Sequence, residues 1–141
     1  LLTHNINLTM KKISMKHSFT QRIIYQDTDA EGVVYYANYL GFFERGRMEL
    51  LRQRGIALTE MKEKNDILFA INKVECDYLA PAKLEDKITI TTEIIETGKV
   101  RIVFKQEALL DEKVLVSAKI TACSLSAKDF RPVRLPTALA K

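Results

Sequence analysis

The stretch Ile24–Arg52, IYQDTDAEGVVYYANYLGFFERGRMELLR, joins an extended segment, a turn bearing two carboxylates and the longest helical pattern in the chain. Gln21 to Tyr25 is rich in β-branched and aromatic residues, which suits a half-buried pleated surface. Asp27, Thr28, Asp29, Glu31 and Gly32 then replace that pattern with turn chemistry. From Tyr36 the period changes. Tyr36, Tyr39, Leu40, Phe43, Leu50 and Leu51 fall close to the three-four spacing of one helix face, so the spacing predicts a helix with a buried side. Gly46 lies on or near that stripe, where it sacrifices helix propensity but lets another backbone approach closely, as a sheet packed on the helix would. Arg45 and Glu49 are spaced to pair on the wet side, and Gly55 supplies the stop.

A turn that leads into a helix sets carboxylates beside free N–H groups and a partial positive charge, both of which favour a negative oxygen. Such a site suits acyl transfer. One carboxylate attacks or activates water, and the N–H groups stabilise the oxyanion that develops on the carbonyl. D-x-D in a loop is more often structural, closing a turn or ending a strand. Asp27 reads that way. The same residues match the opening of a calcium loop, but its twelfth position holds Asn38 instead of a bidentate Glu, which discards calcium.

Beyond Gly55, IALTEMKEKN reads as a short amphipathic helix or a turn, with Thr59 as its cap. Apolar residues then alternate. Phe69 and Ile71 begin one strand, Val74, Cys76 and Tyr78 continue it, and Pro81 interrupts it. Ile88, Ile90, Thr92 and Ile94 form the next set, Thr97 and Gly98 turn the chain, and Val100, Ile102 and Phe104 return. Asp111 and Glu112 mark another reversal before Val114, Val116, Ala118 and Ile120. One early strand, one long helix and an antiparallel meander make an α+β domain whose sheet covers the helix.

The chain has 141 residues, 47% of them hydrophobic and 28% charged, which suits one globular domain with no staple. Its net charge of +4 is concentrated at one end, because residues 1–26 hold Lys11, Lys12, Lys16 and Arg22 and no acid. The remainder is formally neutral and carries no aromatic-basic stripe, so a nucleic-acid partner is not indicated. Residues 1–16 are expected to be a disordered extension, with residues 17–141 forming a single domain. No secretory apolar run and no stretch of transmembrane length is visible, and the expected location is cytoplasmic. Cys76 and Cys123 lie far apart outside any C-x-x-C, and His4 and His17 precede the turn, so zinc and His-based nucleophile systems have little support.

The motif YQDTDAEGVVYYANYLGFFERGRMELLR, continued by CDYLAPAKLEDKITI and ended by FRPVRLP, resembles the hotdog-fold acyl-CoA thioesterases of the 4-hydroxybenzoyl-CoA thioesterase family. Within that family it is most similar to the subgroup associated with the Tol-Pal system. The resemblance implies a hotdog fold, an antiparallel sheet wrapped around one long helix, and thioester hydrolysis without metal or cofactor, since coenzyme A arrives as part of the substrate. It makes Asp29 the catalytic carboxylate and gives the backbone N–H of Tyr36 a part in the oxyanion hole. The subgroup usually has His where this chain has Tyr36, whereas the 4-hydroxybenzoyl enzymes have Tyr there.

Val33, Val34 and Phe69 are the candidates for the acyl-binding surface. Lys128, Arg131 and Arg134 in the Pro-bearing tail would meet the phosphates of coenzyme A, their alternative being a solvated loop. The resemblance further implies a homodimer or homotetramer with sites between subunits, an acyl-CoA or acyl-carrier-protein thioester as substrate, and contact with Tol-Pal or the inner membrane surface. The competing expectation is a non-catalytic acyl- or protein-binding module. A hotdog dehydratase, which pairs His with an acid, lacks its His here.

Overall fold

The structure is a computed structural model and describes residues 16–139. Strand β1 (Lys16–Arg22) comes first, then helix α1 (Asn38–Gln53), helix α2 (Leu58–Asn65), and strands β2 (Ile67–Tyr78), β3 (Lys87–Thr97), β4 (Arg101–Leu110) and β5 (Lys113–Ser126). The five strands form one sheet in the order β1-β3-β4-β5-β2, and every neighbouring pair is antiparallel. This is the hotdog arrangement, with α1 packed across one face of the sheet. The expected N-terminal extension falls outside the described residues, except for Lys16, which opens β1. No helix among the described residues is long and apolar enough to cross a membrane.

The period-two reading of the sheet holds where it is strongest. Ile88, Ile90, Thr92 and Ile94 are all buried against α1, as are Ile102, Phe104, Val116, Ala118 and Ile120. The phase slip between Ile71 and Val74 is a β-bulge, since the register of β2 against β5 shifts between Ile71 and Lys73. One extra residue there keeps Phe69, Ile71, Val74 and Cys76 on the helix side of the sheet. Asp111 takes φ 54° in the reversal before β5.

Several local expectations are corrected. The first extended segment ends at Arg22, and Tyr25–Asp27 is a 3-10 turn, because the Asp27 carboxylate accepts the Ile24 N–H at 2.9 Å and folds the chain back. The buried stripe of α1 is Tyr39, Phe42, Phe43, Gly46, Leu50 and Leu51. Leu40 and Tyr36 are exposed instead, at 41% and 60%, since Leu40 is turned toward a flank the sheet does not cover and Tyr36 precedes the helix. Thr59 lies inside α2, whose cap position is Ala57. Glu49 pairs with Arg52 at 3.7 Å, one turn on, rather than with Arg45.

Gly46 carries the close approach anticipated for it, but side chains, not backbone, occupy the space. A Cβ there would collide with Thr92 Oγ1 and lie 3.1 Å from Gln106 Nε2. The Gln106 amide fills the gap completely. Its Nε2 donates to the Phe43 carbonyl at 2.8 Å and to Thr92 Oγ1 at 2.7 Å, while its Oε1 accepts from Arg47 Nη1 at 3.0 Å. Burial holds the Arg47 guanidinium below its ordinary pKa, with Glu44 opposing that shift. A buried polar group whose bonds are all met locates the helix on the sheet to within a hydrogen-bond length.

The core divides along α1. Tyr39, Phe42 and Phe43 pack with Ile23, Val34, Ala82, Ile88, Ile90 and Ile120. Leu50 and Leu51 pack with Ile56, Met61, Ile94, Ile102, Phe104, Leu135 and Leu139, and Phe69 joins that second group. The chain after β5 folds back to close this end. Pro132 bridges to Leu125, Leu135 N donates to the Lys99 carbonyl at 2.8 Å, and Arg54 Nη2 donates to the Ala138 carbonyl at 2.6 Å.

Gly46→Ala should destabilise the protein by about 1–3 kcal/mol, the overpacking cost outweighing the roughly 1 kcal/mol gained in helix propensity. Urea denaturation measures it. A stabilised variant would mean that the Thr92–Gln106 contact is loose.

Candidate active site

Asp27 to Tyr35 is a small hairpin laid over the start of α1. Asp29 N donates to the Val33 carbonyl at 2.9 Å, Tyr35 N to the Asp27 carbonyl at 3.0 Å, and Thr28 pairs with Val34 across the arms. Gly32 turns its tip at φ +79°, in the left-handed region that a side chain disfavours, and donates to the Asp29 carbonyl at 3.0 Å. The second arm is tied to the loop between β2 and β3. Val34 N donates to the Ala82 carbonyl at 2.9 Å, Leu84 N to the Gly32 carbonyl at 3.3 Å, and Val33 bridges to Lys83. That loop is closed in turn by Asp86, whose Oδ2 accepts the Lys83 N–H at 2.8 Å. Nine residues of apparently irregular chain are therefore pinned on two sides.

The two carboxylates of the turn have separate roles. Asp27 is structural: its Oδ2 accepts the Ile24 N–H, and its carbonyl accepts both Tyr35 N and Asn38 Nδ2, the latter at 2.8 Å. Asp29 is exposed. Its Oδ1 accepts the Glu31 N–H at 2.9 Å, which fixes the carboxylate plane, and Oδ2 has no partner among the described residues. The turn chemistry thus uses one oxygen of Asp29 and leaves the other to solvent.

Tyr36 precedes α1 by two residues, in the turn where Asn38 N donates to the Tyr35 carbonyl at 2.9 Å, and Ala37 takes the cap position. The N–H groups of Tyr36 and Ala37 have no acceptor among the described residues, so unsatisfied donors do gather at this helix end. The Tyr36 ring belongs to an aromatic group that was only partly legible beforehand. It lies 4.9 Å from the Tyr35 ring and edge-on to Tyr78 at 5.9 Å, and Tyr78 in turn is tilted against Tyr39 at 5.9 Å. Tyr78 closes β2 and was readable only as one more strand residue. Nothing in the spacing says that the end of β2 meets the start of α1. Burial, first, and then the Cys76 thiol and the neighbouring Tyr36 and Tyr39 push the Tyr78 phenol up to about 12.

The remaining candidates do not all gather here. Val33 is half-buried beside Asp29, and Val34 is buried behind the hairpin at 5% exposure. Phe69 belongs to the opposite end of α1, packed with the Leu50–Leu51 group. It also lines a cavity of about 110 Å3 with Met48, Leu51, Leu58, Ile71 and Phe104, with Glu44 and Arg47 at its polar side. Lys128, Arg131 and Arg134 sit in the exposed segment that follows β5, at that same far end. A helix of sixteen residues, about 24 Å long, separates these four from Asp29 within one chain.

The sequence model of the Thioesterase superfamily matches residues 31–118. Haemophilus influenzae Acyl-CoA thioesterase YbgC is 35% identical over 119 residues, which cover 84% of this chain and 88% of that protein. Among solved structures, a Bartonella henselae chain described as "Probable Thioesterase" superposes with a TM-score of 0.81 at 35% identity, covering 86% of this chain and 99% of the other. A 1,4-dihydroxy-2-naphthoyl-CoA thioesterase from Synechocystis reaches the same TM-score at 19% identity, over 87% of this chain and 91% of that one, which is a likeness of fold.

Asp27→Ala should lower stability by about 1 kcal/mol through the freed Ile24 N–H, whereas Asp29→Asn should stay within about 0.5 kcal/mol of the native value. Equal losses in chemical denaturation would show that both acids are structural. Because burial raises the Tyr78 phenol above its ordinary value in the folded state, its contribution is fully present below about pH 10 and lost as pH rises through about 12. Tyr78→Phe should therefore lose less stability than the native protein across that window.

Proposed function

The chain belongs to the thioesterase superfamily, and from that premise we propose that it hydrolyses acyl-CoA thioesters to a free acid and the coenzyme A thiol. Acyl-carrier-protein thioesters, which share the pantetheine thiol, are the next substrates to consider. The observation that carries the assignment of residues is the Asp29 carboxylate, oriented through Oδ1 and open at Oδ2, beside unsatisfied N–H groups at the start of α1. In this reading the thioester carbonyl oxygen lies toward the Tyr36 N–H, where charge developing on it is stabilised. Asp29 either takes a proton from water as that water attacks the carbonyl carbon, or attacks the carbon itself to give an anhydride that water then opens. By both routes the C–S bond breaks, the thiolate leaves and is protonated, and the acid is released.

The separation of Asp29 from Phe69 and the tail cations supports a second element of the reading, a site assembled from two chains. Strand β2 is twelve residues long and stands at the edge of the sheet. Ile71, Val74 and Tyr78 on its helix side are 44–45% exposed, and Leu40 and Met48 on the flank of α1 are 41% and 40% exposed. An uncovered apolar strip along an unpaired strand edge invites a second copy. Antiparallel pairing of two β2 edges about a twofold axis would place the start of one β2, with its Phe69 and its tail, beside the end of the other, with its Tyr78 and Asp29. We place the enzyme in the cytoplasm, where such thioesters occur. An association with Tol-Pal or with the inner membrane surface follows from the family resemblance.

Release of free thiol from a panel of short, long and aromatic acyl-CoAs tests the reaction. Turnover should fall about a hundred-fold or more in Asp29→Asn; equal release by both proteins would move the chemistry to another residue, and silence from both with acyl-CoA and acyl-carrier substrates would leave a binding module. Val74→Arg should yield a monomer in sedimentation velocity and lose thiol release. A monomeric variant with full turnover would refute the two-chain site.

A further inference from the structure

At the far end of the sheet, the turn after β5 presents one aromatic ring outward. Phe130 is 64% exposed and has φ 59°, a left-handed conformation that is a genuine outlier for a bulky side chain. The surrounding bonds hold it there. Phe130 N donates to the Ser126 carbonyl at 2.9 Å, Ser126 N to the Arg131 carbonyl at 2.8 Å, and Arg131 N to Asp129 Oδ1 at 3.0 Å. Asp66 anchors the base of the turn: its Oδ2 accepts from Ser126 Oγ at 2.7 Å, its Oδ1 from Lys128 N at 3.1 Å, and its carbonyl from Ala127 N at 3.0 Å. An exposed ring fixed in an unfavourable backbone state contributes nothing to the core, and strain maintained in this way points to a surface used for binding. The charges agree. Lys128 and Arg131 lie within two residues of Phe130 in the chain and Arg134 follows, with Asp129 the one acid among them, 3.8 Å from Arg131 Nε.

We propose that Phe130 is the stacking platform for the adenine ring of the coenzyme A portion of the substrate, with the neighbouring Lys128 and Arg131 meeting the phosphates. The inference rests on the acyl-CoA reading above and extends it to a residue that had no assigned role. A purine offers a π-face to an aromatic ring without needing base-edge hydrogen bonds, and coenzyme A carries phosphate groups on both sides of its adenosine. Lys128, Arg131 and Arg134 against the single acid Asp129 leave the turn with the net positive charge that phosphates require. Because hydrogen bonds within the turn already set its backbone, little ordering cost opposes binding.

Calorimetric titration of the full chain with coenzyme A, 3′,5′-ADP and phosphopantetheine tests this directly. The variants are Phe130→Asn, which keeps a residue tolerant of the left-handed region but removes the ring, and Phe130→Tyr, which restores it. In Phe130→Asn the dissociation constants for coenzyme A and 3′,5′-ADP should rise about ten-fold, with recovery in Phe130→Tyr and no change for phosphopantetheine. The KM for acyl-CoA should rise in parallel at unchanged kcat. Unchanged nucleotide binding in Phe130→Asn overturns the proposal while leaving thiol release, and hence the hydrolase reading, intact. Nucleotide binding that is indifferent to Phe130, combined with sedimentation onto phosphatidylglycerol vesicles that depends on it, also overturns it and makes the turn a membrane contact. No thiol release by the native protein from any acyl-CoA, with no binding of coenzyme A, removes both readings together.

Discussion

The Gln106 side-chain amide, bonded at once to the Phe43 carbonyl of α1, the Thr92 hydroxyl of β3 and the Arg47 guanidinium, is the contact on which the arrangement of helix and sheet depends. Its reach is short, so the helix must come close, and Gly46 is what allows it. The same row of the sheet runs from His17 through Thr92, Gln106 and Ala118 to Cys76, register partners across all five strands. Apolar contacts on either side would tolerate some sliding of α1 along the sheet. A buried amide with every bond satisfied would not, because moving it strands polar atoms in an apolar surrounding.

That fixed position is transmitted to the start of α1. The hairpin of Asp27–Tyr35 is bonded forward to Asn38, the first residue of the helix, and sideways to the loop that links β2 to β3. A turn carrying two acids and a glycine would be mobile in isolation. Here Asp27 spends its carboxylate on the turn itself, so that Asp29 has one oxygen for orientation and one in reserve. In the proposed reaction, a carboxylate already oriented in this way needs no reordering when a carbonyl arrives.

The other side of the same rigidity is that one chain cannot fold its two ends together. With α1 straight across the sheet, the acid and the aromatic group stand at one end, and Phe69 with the basic tail stands at the other. The uncovered strip formed by Leu40, Met48, Ile71, Val74 and Tyr78 runs between them along the β2 edge. In the proposed dimer the helix thus acts as a spacer that hands each end of the protein to the partner.

The sequence alone determined the α+β class, the central helix, the alternating strands and their turns, because these follow from local periodicity and from residues with particular backbone preferences. The family resemblance of the motif is what set Asp29 apart as the proposed catalytic acid, whereas the bonds that occupy the Asp27 carboxylate appear only in the fold. Only the tertiary structure decided which face of α1 is covered, exchanging Leu40 for Phe42, since that depends on where the sheet ends and not on the helix period. Long-range register alone brings Tyr78 to Tyr36 and Gln106 beneath Gly46. The same holds for the distance between Asp29 and the basic tail, which no spacing in the sequence encodes, because it is set by how a straight helix lies on a sheet.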